Sequence, residues 1–148
     1  MKVILYMATT VNGYIAKENG ECPWSDAVWE SYYRIAKQFK AIILGRTTYE
    51  IMKNVNEFEK IGNPFTVVVT QRDFTQHPNV AFAKSPNDAL KILKKKNFSK
   101  VLVGGGGTVN SSFLKENIID EIILDVEPLI FGKGIPLFSG QSFDAKLE

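Results

Sequence analysis

The sequence contains very little cysteine and histidine. Its 148 residues include one of each, Cys22 and His77. A single cysteine cannot form an internal disulfide, which is typical of proteins in a reducing cytoplasm. One isolated histidine makes neither a metal site nor a catalytic triad, and no residues have the spacing of metal ligands. We therefore expect no metal site, and we assign no role to His77.

Net charge and long apolar runs are also lacking. The formal net charge is +2, so the composition favours neither a nucleic acid nor a membrane as a partner. No apolar run approaches the length of a transmembrane helix, and the apolar core of the N-terminal MKVILYMATT is too short for a signal peptide. With 45% hydrophobic and 23% charged residues, we expect one globular, cytoplasmic domain over residues 1–148.

Four consecutive glycines lie between a predicted strand and a predicted helix in KVLVGGGGTVNSSFL, residues 100–114. Glycine lets the backbone approach an anion closely, and the N–H groups and dipole at a helix N-terminus favour negative charge. The loop of Gly104, Gly105, Gly106, Gly107 and Thr108 is therefore predicted to bind phosphate. The alternative is that it only makes a tight strand-to-helix corner.

Two well-known phosphate loops do not match this segment. A Walker A loop requires a lysine that is absent after Gly107, and the G-x-G-x-x-G pattern of dinucleotide-binding folds fails at Val109. The dinucleotide pattern also belongs to the first strand–helix unit, whereas this loop lies late in the chain. The sequence therefore predicts a less common nucleotide site.

Two further polar loops follow predicted strands. Gly45, Arg46, Thr47 and Thr48 come directly after the apolar run at residues 41–44, and Thr70, Gln71 and Arg72 end the run FTVVVT. The planar guanidinium of arginine suits phosphate. Two arginines and a pyrophosphate-type loop together indicate NADP rather than NAD, although either arginine alone is better interpreted as a solvent-facing loop residue.

Strands and helices alternate along the chain. Strands are predicted at residues 2–8, 41–44, 65–70, 80–83, 101–103 and 119–126, and residues 14–16 could extend the first. The first helix should begin at Ser25 or Asp26, and another at Ser85. The pattern predicts an α/β fold with a mostly parallel sheet and helices on both faces. Ligands bind beyond the carboxyl ends of such strands, where the three polar loops fall.

These segments resemble the dihydrofolate reductase-like fold, and most of all the reductase domain of riboflavin biosynthesis and its stand-alone relatives. The resemblance covers nearly the whole chain in order, through ATTVNGYIA at residues 8–16, PW at 23–24, ILGRTTYE at 43–50, VTQR at 69–72, VGGGG at 103–107 and residues 128–138. It implies an NADPH-dependent reductase of a small-molecule substrate. Hydride would pass to a pyrimidine- or pterin-type compound, such as 5-amino-6-(5-phosphoribosylamino)uracil.

The resemblance also implies roles for the cofactor residues. Backbone groups of Ala8 and Ile15 would hold the nicotinamide carboxamide. The segment Gly45, Arg46, Thr47 and Thr48 would bind the cofactor phosphates, and Thr70, Gln71 and Arg72 the adenosine 2′-phosphate. The pyrophosphate would lie on Gly105, Gly106, Gly107, Thr108 and Val109.

The substrate side departs from dihydrofolate reductases, in which the first helix carries a buried carboxylate. Trp29 takes that position here, and Gly104 replaces a larger apolar residue. Asp26 is the first choice as proton donor, with a solvent water as the alternative, although Asp26 is more readily interpreted as a helix cap. Trp29, Tyr32 and Tyr33 would line the substrate cleft or pack in the core, and Lys133 would meet a substrate phosphate or lie exposed in a turn.

Two alternatives to the riboflavin-type reductase remain open. One is a dihydrofolate reductase with a relocated acid, and the other is a non-catalytic nucleotide-binding module. Members of the family continue with a C-terminal hairpin, whereas this sequence ends at Glu148 in what resembles the first strand of that hairpin. We therefore expect an exposed sheet edge, which a homodimer could cover.

Overall fold

Across residues 1–75, 77–140 and 142–148, which the computed structural model describes, a six-stranded sheet forms the centre of the molecule. The strands in chain order are β1 (Lys2–Thr10), β2 (Tyr14–Ala16), β3 (Ala41–Gly45), β4 (Phe65–Val69), β5 (Val80–Ala83), β6 (Lys100–Val103), β7 (Glu121–Glu127) and β8 (Ile135–Pro136). The sheet has the order β5-β4-β3-β6-β1-β7, and every neighbouring pair in it is parallel. The predicted parallel α/β architecture is confirmed.

Helices cover both faces of this sheet. They are α1 (Asp26–Ala36), α2 (Arg46–Asn54), α3 (Glu57–Lys60), α4 (Pro86–Lys95) and α5 (Gly107–Lys115). Alternate residues of β1 enter different cores, because successive side chains of a strand point to opposite faces. Val3 and Leu5 pack with residues of α4 and α5, whereas Ile4 and Tyr6 pack with residues of α1 and α2.

The N-terminus of α1 is capped by Ser25. The Ser25 hydroxyl accepts a hydrogen bond from the backbone N–H of Val28 at 3.3 Å, and Asp26 is the first helical residue. The interpretation of Asp26 as the cap is therefore wrong. The predicted start of α4 is confirmed, because the Ser85 hydroxyl accepts from the backbone N–H of Asp88 at 3.1 Å.

Residues 14–16 do not extend the first strand. Gly13 has a φ of +85°, and the backbone N–H of Gly13 donates to the carbonyl of Thr10, so the chain turns away. Tyr14–Ala16 then pairs antiparallel with Ile135–Pro136 in a separate two-stranded sheet. The N–H of Leu137 also donates to the carbonyl of Gly13, which joins the C-terminal segment to the turn.

Strand β7 forms one edge of the sheet. In the described part of the chain it is hydrogen-bonded only to β1, and Leu124 and Val126 on it are 40% and 58% exposed. No second strand of the described residues pairs with β7, and the exposed edge stays a prediction. Residues 142–148 contain no regular secondary structure, so the strand expected there is not formed.

Candidate functional site

Two helices begin side by side at the carboxyl ends of the neighbouring strands β3 and β6. The backbone N–H of Gly45 donates to the carbonyl of Gly105 at 2.8 Å, and the N–H of Gly104 donates to the carbonyl of Ile43 at 3.0 Å. These bonds tie the start of α2 to the loop before α5. Both helix N-termini, with their free N–H groups and positive dipole ends, therefore lie at one place on the sheet.

Gly104 is closely packed against two side chains of β3. A Cβ atom on Gly104 would lie 2.9 Å from Cδ2 of Leu44 and 3.2 Å from Cδ1 of Ile42. Both distances are shorter than ordinary van der Waals contacts. A larger residue at this position would therefore require the side chains of Leu44 and Ile42 to shift.

Packing also explains Gly107. A Cβ atom there would overlap the carbonyl oxygen of Pro136 and the hydroxyl of Ser139, whose backbone N–H donates to the Gly107 carbonyl at 3.2 Å. The C-terminal segment after β8 therefore packs directly on the first turn of α5. Asn110 strengthens this contact by donating from its amide to the carbonyl of Leu137 at 3.0 Å.

The middle of the loop faces α2. Gly105 has a φ of +95° and its peptide bond to Gly106 is cis. The nearest atom to a Cβ placed on Gly106 would be Oγ1 of Thr48, at 3.6 Å. The backbone at Gly106 and the hydroxyl of Thr48 thus lie close together, and they offer hydrogen-bond donors to one ligand. This is the geometry that an anion site needs.

Arg46, Thr47 and Thr48 form the first turn of α2, directly after β3. Arg46 is the first residue of α2, and its Nη1 lies 3.1 Å from Oε2 of Glu50. The Arg46 side chain is 30% exposed, Thr47 is exposed and Thr48 is half-buried. Sequence reasoning did not identify Glu50 as the partner of Arg46, although the i,i+4 spacing is the signal for such a pair. Phosphate binding at Arg46 would therefore compete with this exposed ion pair.

The loop of Thr70, Gln71 and Arg72 leaves the end of β4, next to β3, and is held by Lys84. Nζ of Lys84 donates to the Gln71 carbonyl at 2.7 Å and lies 2.8 Å from Oδ1 of Asp73. The ammonium group of Lys84 lowers the pKa of the Asp73 carboxyl. Arg72 is exposed, and its backbone N–H donates to the Thr70 hydroxyl at 3.3 Å. Sequence reasoning did not find Lys84, because its contacts form only when β4 and β5 pair.

The two positions predicted to hold the nicotinamide are both buried. Ala8 lies on β1 between β6 and β7, and Ile15 lies on β2. The thiol of Cys22 donates weakly to the carbonyl of Ile15 at 3.6 Å. Burial raises the pKa of the Cys22 thiol, so the thiol remains a donor at neutral pH. Whether these backbone groups hold a carboxamide stays a prediction.

Thr108 and Val109, in the first turn of α5, differ in their exposure. Thr108 is exposed, whereas Val109 is buried and its Cγ2 would lie 3.0 Å from a Cβ atom on Gly45. Val109 therefore packs α5 against the start of α2. Thr108 faces outward at the first turn of α5, where its hydroxyl remains accessible.

The aromatic residues of α1 form one cluster. Tyr32 stacks on Tyr6 with ring centroids 5.8 Å apart, and Trp29 contacts Tyr32 at 6.1 Å and Tyr33 at 6.0 Å. Burial raises the pKa of Tyr32, and burial together with Glu57 raises that of Tyr33 to about 12. All of these hydroxyls are neutral at physiological pH. The cluster packs α1 on the sheet, while Trp29 and Tyr33 are only half-buried and keep part of their surface accessible.

Asp26 lies at the exposed start of α1. Two other carboxylates lie between α1 and the sheet, and sequence reasoning missed both. Glu127 is 5% exposed and accepts from the backbone N–H of Ser25 at 2.6 Å, and Asp125 accepts from the Tyr6 hydroxyl at 2.5 Å. The available signal was a pair of acids, two residues apart, at the carboxyl end of the strand EIILDVE, which also begins with Glu121.

Two lysines line a shallow depression beside the β2–β8 pair. Lys17, Glu18, Phe131 and Lys133 are among the residues that line it, and its volume is about 490 Å³. Nζ of Lys17 lies 5.9 Å from the centroid of Phe131, on which Trp24 also stacks. Lys133 is thus exposed near a second positive charge.

His77 lies away from these groups. It is exposed and forms an isolated bridge with Val80. Within residues 1–75, 77–140 and 142–148 there is no group of histidine, cysteine and carboxylate side chains placed to hold a metal ion. No helix in the same ranges is long and apolar enough to cross a membrane.

The family model of the RibD C-terminal domain matches residues 1–148. The chain belongs to this family. It is 33% identical over 153 residues to the uncharacterised protein YwjB of Bacillus subtilis (strain 168), and this alignment covers 99% of the chain and 88% of YwjB. It is 31% identical over 131 residues to dihydrofolate reductase type 1 of Escherichia coli, and this alignment covers 86% of the chain and 78% of that protein.

The fold agrees with this family. The crystal structure of a putative riboflavin biosynthesis protein from Shewanella sp. PV-4 superimposes with a TM-score of 0.78 at 24% identity, over 97% of this chain and 86% of that one. The RibD C-terminal domain thus has the dihydrofolate reductase-like fold that the sequence predicts. The family places the chain among reductase-like domains with dihydrofolate reductase relatives.

Proposed function

We propose that the chain is an NADPH-dependent reductase of a small pyrimidine- or pterin-type compound. The observation that carries the proposal is the joined start of α2 and α5, where the Gly45 N–H bonds the Gly105 carbonyl at 2.8 Å. Two adjacent helix N-termini beyond the carboxyl ends of parallel strands favour a ligand with two or more phosphates. A dinucleotide has this chemistry.

The residues at these helix starts fit the pyrophosphate of NADPH. Gly106 leaves its backbone open beside the Thr48 hydroxyl, and Arg46 is the first residue of α2. Arg72 on the neighbouring loop is exposed and has no ion-pair partner among the described residues. It is therefore available for the extra phosphate that distinguishes NADPH from NADH.

When bound, NADPH would supply hydride from its C4 atom to a C=N or carbonyl-type carbon of the substrate. The chain would align the two molecules, with Ala8 and Ile15 presenting backbone groups from β1 and β2. A proton must also reach the reduced substrate. Asp26 is exposed at the start of α1 and stays our predicted donor, with a solvent water as the alternative.

A phosphorylated aminopyrimidine of the riboflavin type is the first candidate substrate. The family supports it, and so does the depression lined by Lys17 and Lys133, where two ammonium groups beside the single carboxylate of Glu18 could meet a substrate phosphate. Dihydrofolate is the second candidate, because dihydrofolate reductase type 1 is a 31% identical relative. Against dihydrofolate, Trp29 occupies the α1 position at which the resemblance expects a carboxylate.

The test is to supply NADPH with each candidate substrate in turn and to follow the loss of NADPH absorbance and the mass of the product. We expect oxidation of NADPH with 5-amino-6-(5-phosphoribosylamino)uracil and a product heavier by two hydrogen atoms. Faster turnover of 7,8-dihydrofolate would favour the second candidate. Tight NADPH binding without oxidation by either compound would contradict the proposal and indicate a nucleotide-binding module.

A further inference from the structure

We propose that Asp125 is the substrate-binding carboxylate of this site, held in place by Tyr6, and that it accepts N–H groups from a nitrogen heterocycle. The inference rests on the proposed reductase function and deepens it, because it names the chemical group of the substrate that the chain would recognise. Asp125 lies on β7, whereas the acid predicted from the sequence, Asp26, lies on α1.

Strand register places Asp125 beside the predicted nicotinamide site. Asp125 on β7 is the partner of Ala8 on β1, and Ile123 is the partner of Tyr6. Tyr6 and Ile123 face the core that contains α1. Because side chains alternate along a strand, Ala8 and Asp125 lie on that same face, one step closer to the carboxyl ends. Asp125 is half-buried there and remains accessible to a small molecule.

The hydrogen bonding of Asp125 leaves one oxygen available. Its Oδ2 accepts from the Tyr6 hydroxyl at 2.5 Å, while Oδ1 has no hydrogen-bond partner among the residues described. Burial and the neighbouring carboxylate raise the pKa of Tyr6, so its hydroxyl stays protonated and donates throughout the physiological range. A carboxylate fixed through one oxygen and open at the other is a directed acceptor for N–H donors.

The surroundings fix the direction of this carboxylate. The ring of Tyr6 is 3% exposed and stacks on Tyr32 of α1 at an interplanar angle of 22°. Tyr6 is therefore held in place, and the orientation of the Asp125 carboxylate is set before a ligand binds.

The other carboxylates near α1 are less suitable. Glu127 follows Asp125 on the same face, but its Oε1 already accepts from the Ser25 N–H and the residue is 5% exposed. Asp26 and Glu30 lie on the exposed surface of α1. Glu57 of α3 also has an oxygen, Oε1, without a hydrogen-bond partner in the described structure, but the residue is only 8% exposed and its Oε2 lies 3.8 Å from Nζ of Lys60. Asp125 differs from these acids because it is only half-buried and combines a fixed orientation with an unoccupied oxygen in the described structure. It would supply from β7 the carboxylate that Trp29 displaces from α1.

The experiment measures the binding of 2,4-diaminopyrimidine to the full chain already loaded with NADPH, by calorimetry. When protonated at N1, this probe presents adjacent N–H donors to a carboxylate, and it needs no turnover. The variants are Asp125→Asn, which keeps the shape but removes the charge, Tyr6→Phe, and Asp144→Asn as a control with the same chemical change at an exposed site. NADPH affinity and thermal midpoint are measured for every variant.

We expect Asp125→Asn to weaken probe binding about tenfold to a hundredfold, which is typical of losing a hydrogen bond to a charged group. Tyr6→Phe should weaken it about threefold to tenfold, because the carboxylate loses its orientation. Asp144→Asn should bind like the parent chain, and NADPH affinity should stay unchanged in all variants. If Asp125→Asn does not fold, Asp125→Ser retains a hydroxyl near Tyr6 and is measured in its place.

Binding of the probe and binding of NADPH, measured separately, distinguish failure of this inference from failure of the proposed function. If the parent chain binds NADPH but not the probe, or if Asp125→Asn binds the probe as tightly as the parent does, the assignment of Asp125 is overturned and the cofactor site stands. If the parent chain does not bind NADPH, the proposed function itself fails. A fall in the NADPH affinity of Asp125→Asn that matches its loss of probe binding would indicate a structural role only and would also overturn the assignment.

Discussion

Lys84 and Gln71 each donate a side-chain hydrogen bond to the other's backbone carbonyl, both at 2.7 Å. This reciprocal pair fastens the loop after β4 to the residue that follows β5. The loop carries Arg72, which we propose to receive the 2′-phosphate of NADPH. Lys84 is therefore expected to matter for cofactor choice although it is not itself in the proposed phosphate site.

Replacing Lys84 with alanine should weaken NADPH binding about threefold to tenfold and leave NADH binding nearly unchanged, because only the loop at the extra phosphate is loosened. Fluorescence titration with each nucleotide measures this. Lys91→Ala removes an equally charged exposed side chain from α4 and serves as the control. Equal losses for NADPH and NADH would show that Lys84 does not act through the loop at the extra phosphate.

The Gly107→Ala variant should be strongly destabilised, because its Cβ atom would overlap the backbone oxygen of Pro136 and the hydroxyl of Ser139. We expect a loss of about 3 kcal/mol in the free energy of unfolding, at the upper end for overpacking, measured by urea denaturation. Gly132→Ala is the matched control, since a Cβ there meets no described atom within 4 Å. A stability of Gly107→Ala equal to that of this control would mean that the C-terminal segment does not pack on α5.

Ser25→Ala should cost about 1 kcal/mol of stability, because Ser25 is the side-chain cap of α1. Asp26→Ala should cost only about 0.5 kcal/mol, through the helix dipole. Chemical denaturation of the two variants side by side gives the comparison. A larger loss for Asp26→Ala would restore the sequence-based interpretation of Asp26 as the cap.

Cys22 should react slowly with iodoacetamide at neutral pH. Burial raises the pKa of its thiol, and the thiolate is the reactive form, so the rise of the alkylation rate should occur at higher pH than for a free cysteine. Mass spectrometry at a series of pH values follows the single cysteine without ambiguity. The urea-unfolded chain provides the reference, and coincident folded and unfolded profiles would contradict the burial of Cys22.

Most of the fold could be predicted because its signals are local. The apolar run at residues 41–44 and the glycine after it predicted both β3 and the start of α2, and Ser85 with Pro86 predicted the start of α4. The pairing of Tyr14–Ala16 with Ile135–Pro136 could not be predicted in this way. It joins segments that are far apart in the sequence, and each segment is too short to show the alternation of apolar and polar residues that identifies a strand.

The cofactor side of the site could be proposed from the sequence, but not its substrate side. Glycines, hydroxyls and arginines at strand ends have a recognisable pattern, and the structure brings Gly45 and the loop before α5 together. The pair Asp125 and Glu127 was only a weak signal, because acids in an edge strand are usually solvent-facing residues. The role that we propose for Asp125 depends on Tyr6, which becomes its neighbour only when β1 pairs with β7.

The most direct test of the central claim, that the loops at the carboxyl ends of β3, β4 and β6 hold NADPH, is a fluorescence titration of the chain with NADPH and then with NADH. The same titrations are repeated on Arg72→Ala. We predict tighter binding of NADPH than of NADH, and loss of that difference in Arg72→Ala while NADH binding is retained. Failure of the parent chain to bind either nucleotide would contradict the account, and the reductase proposal would then be withdrawn.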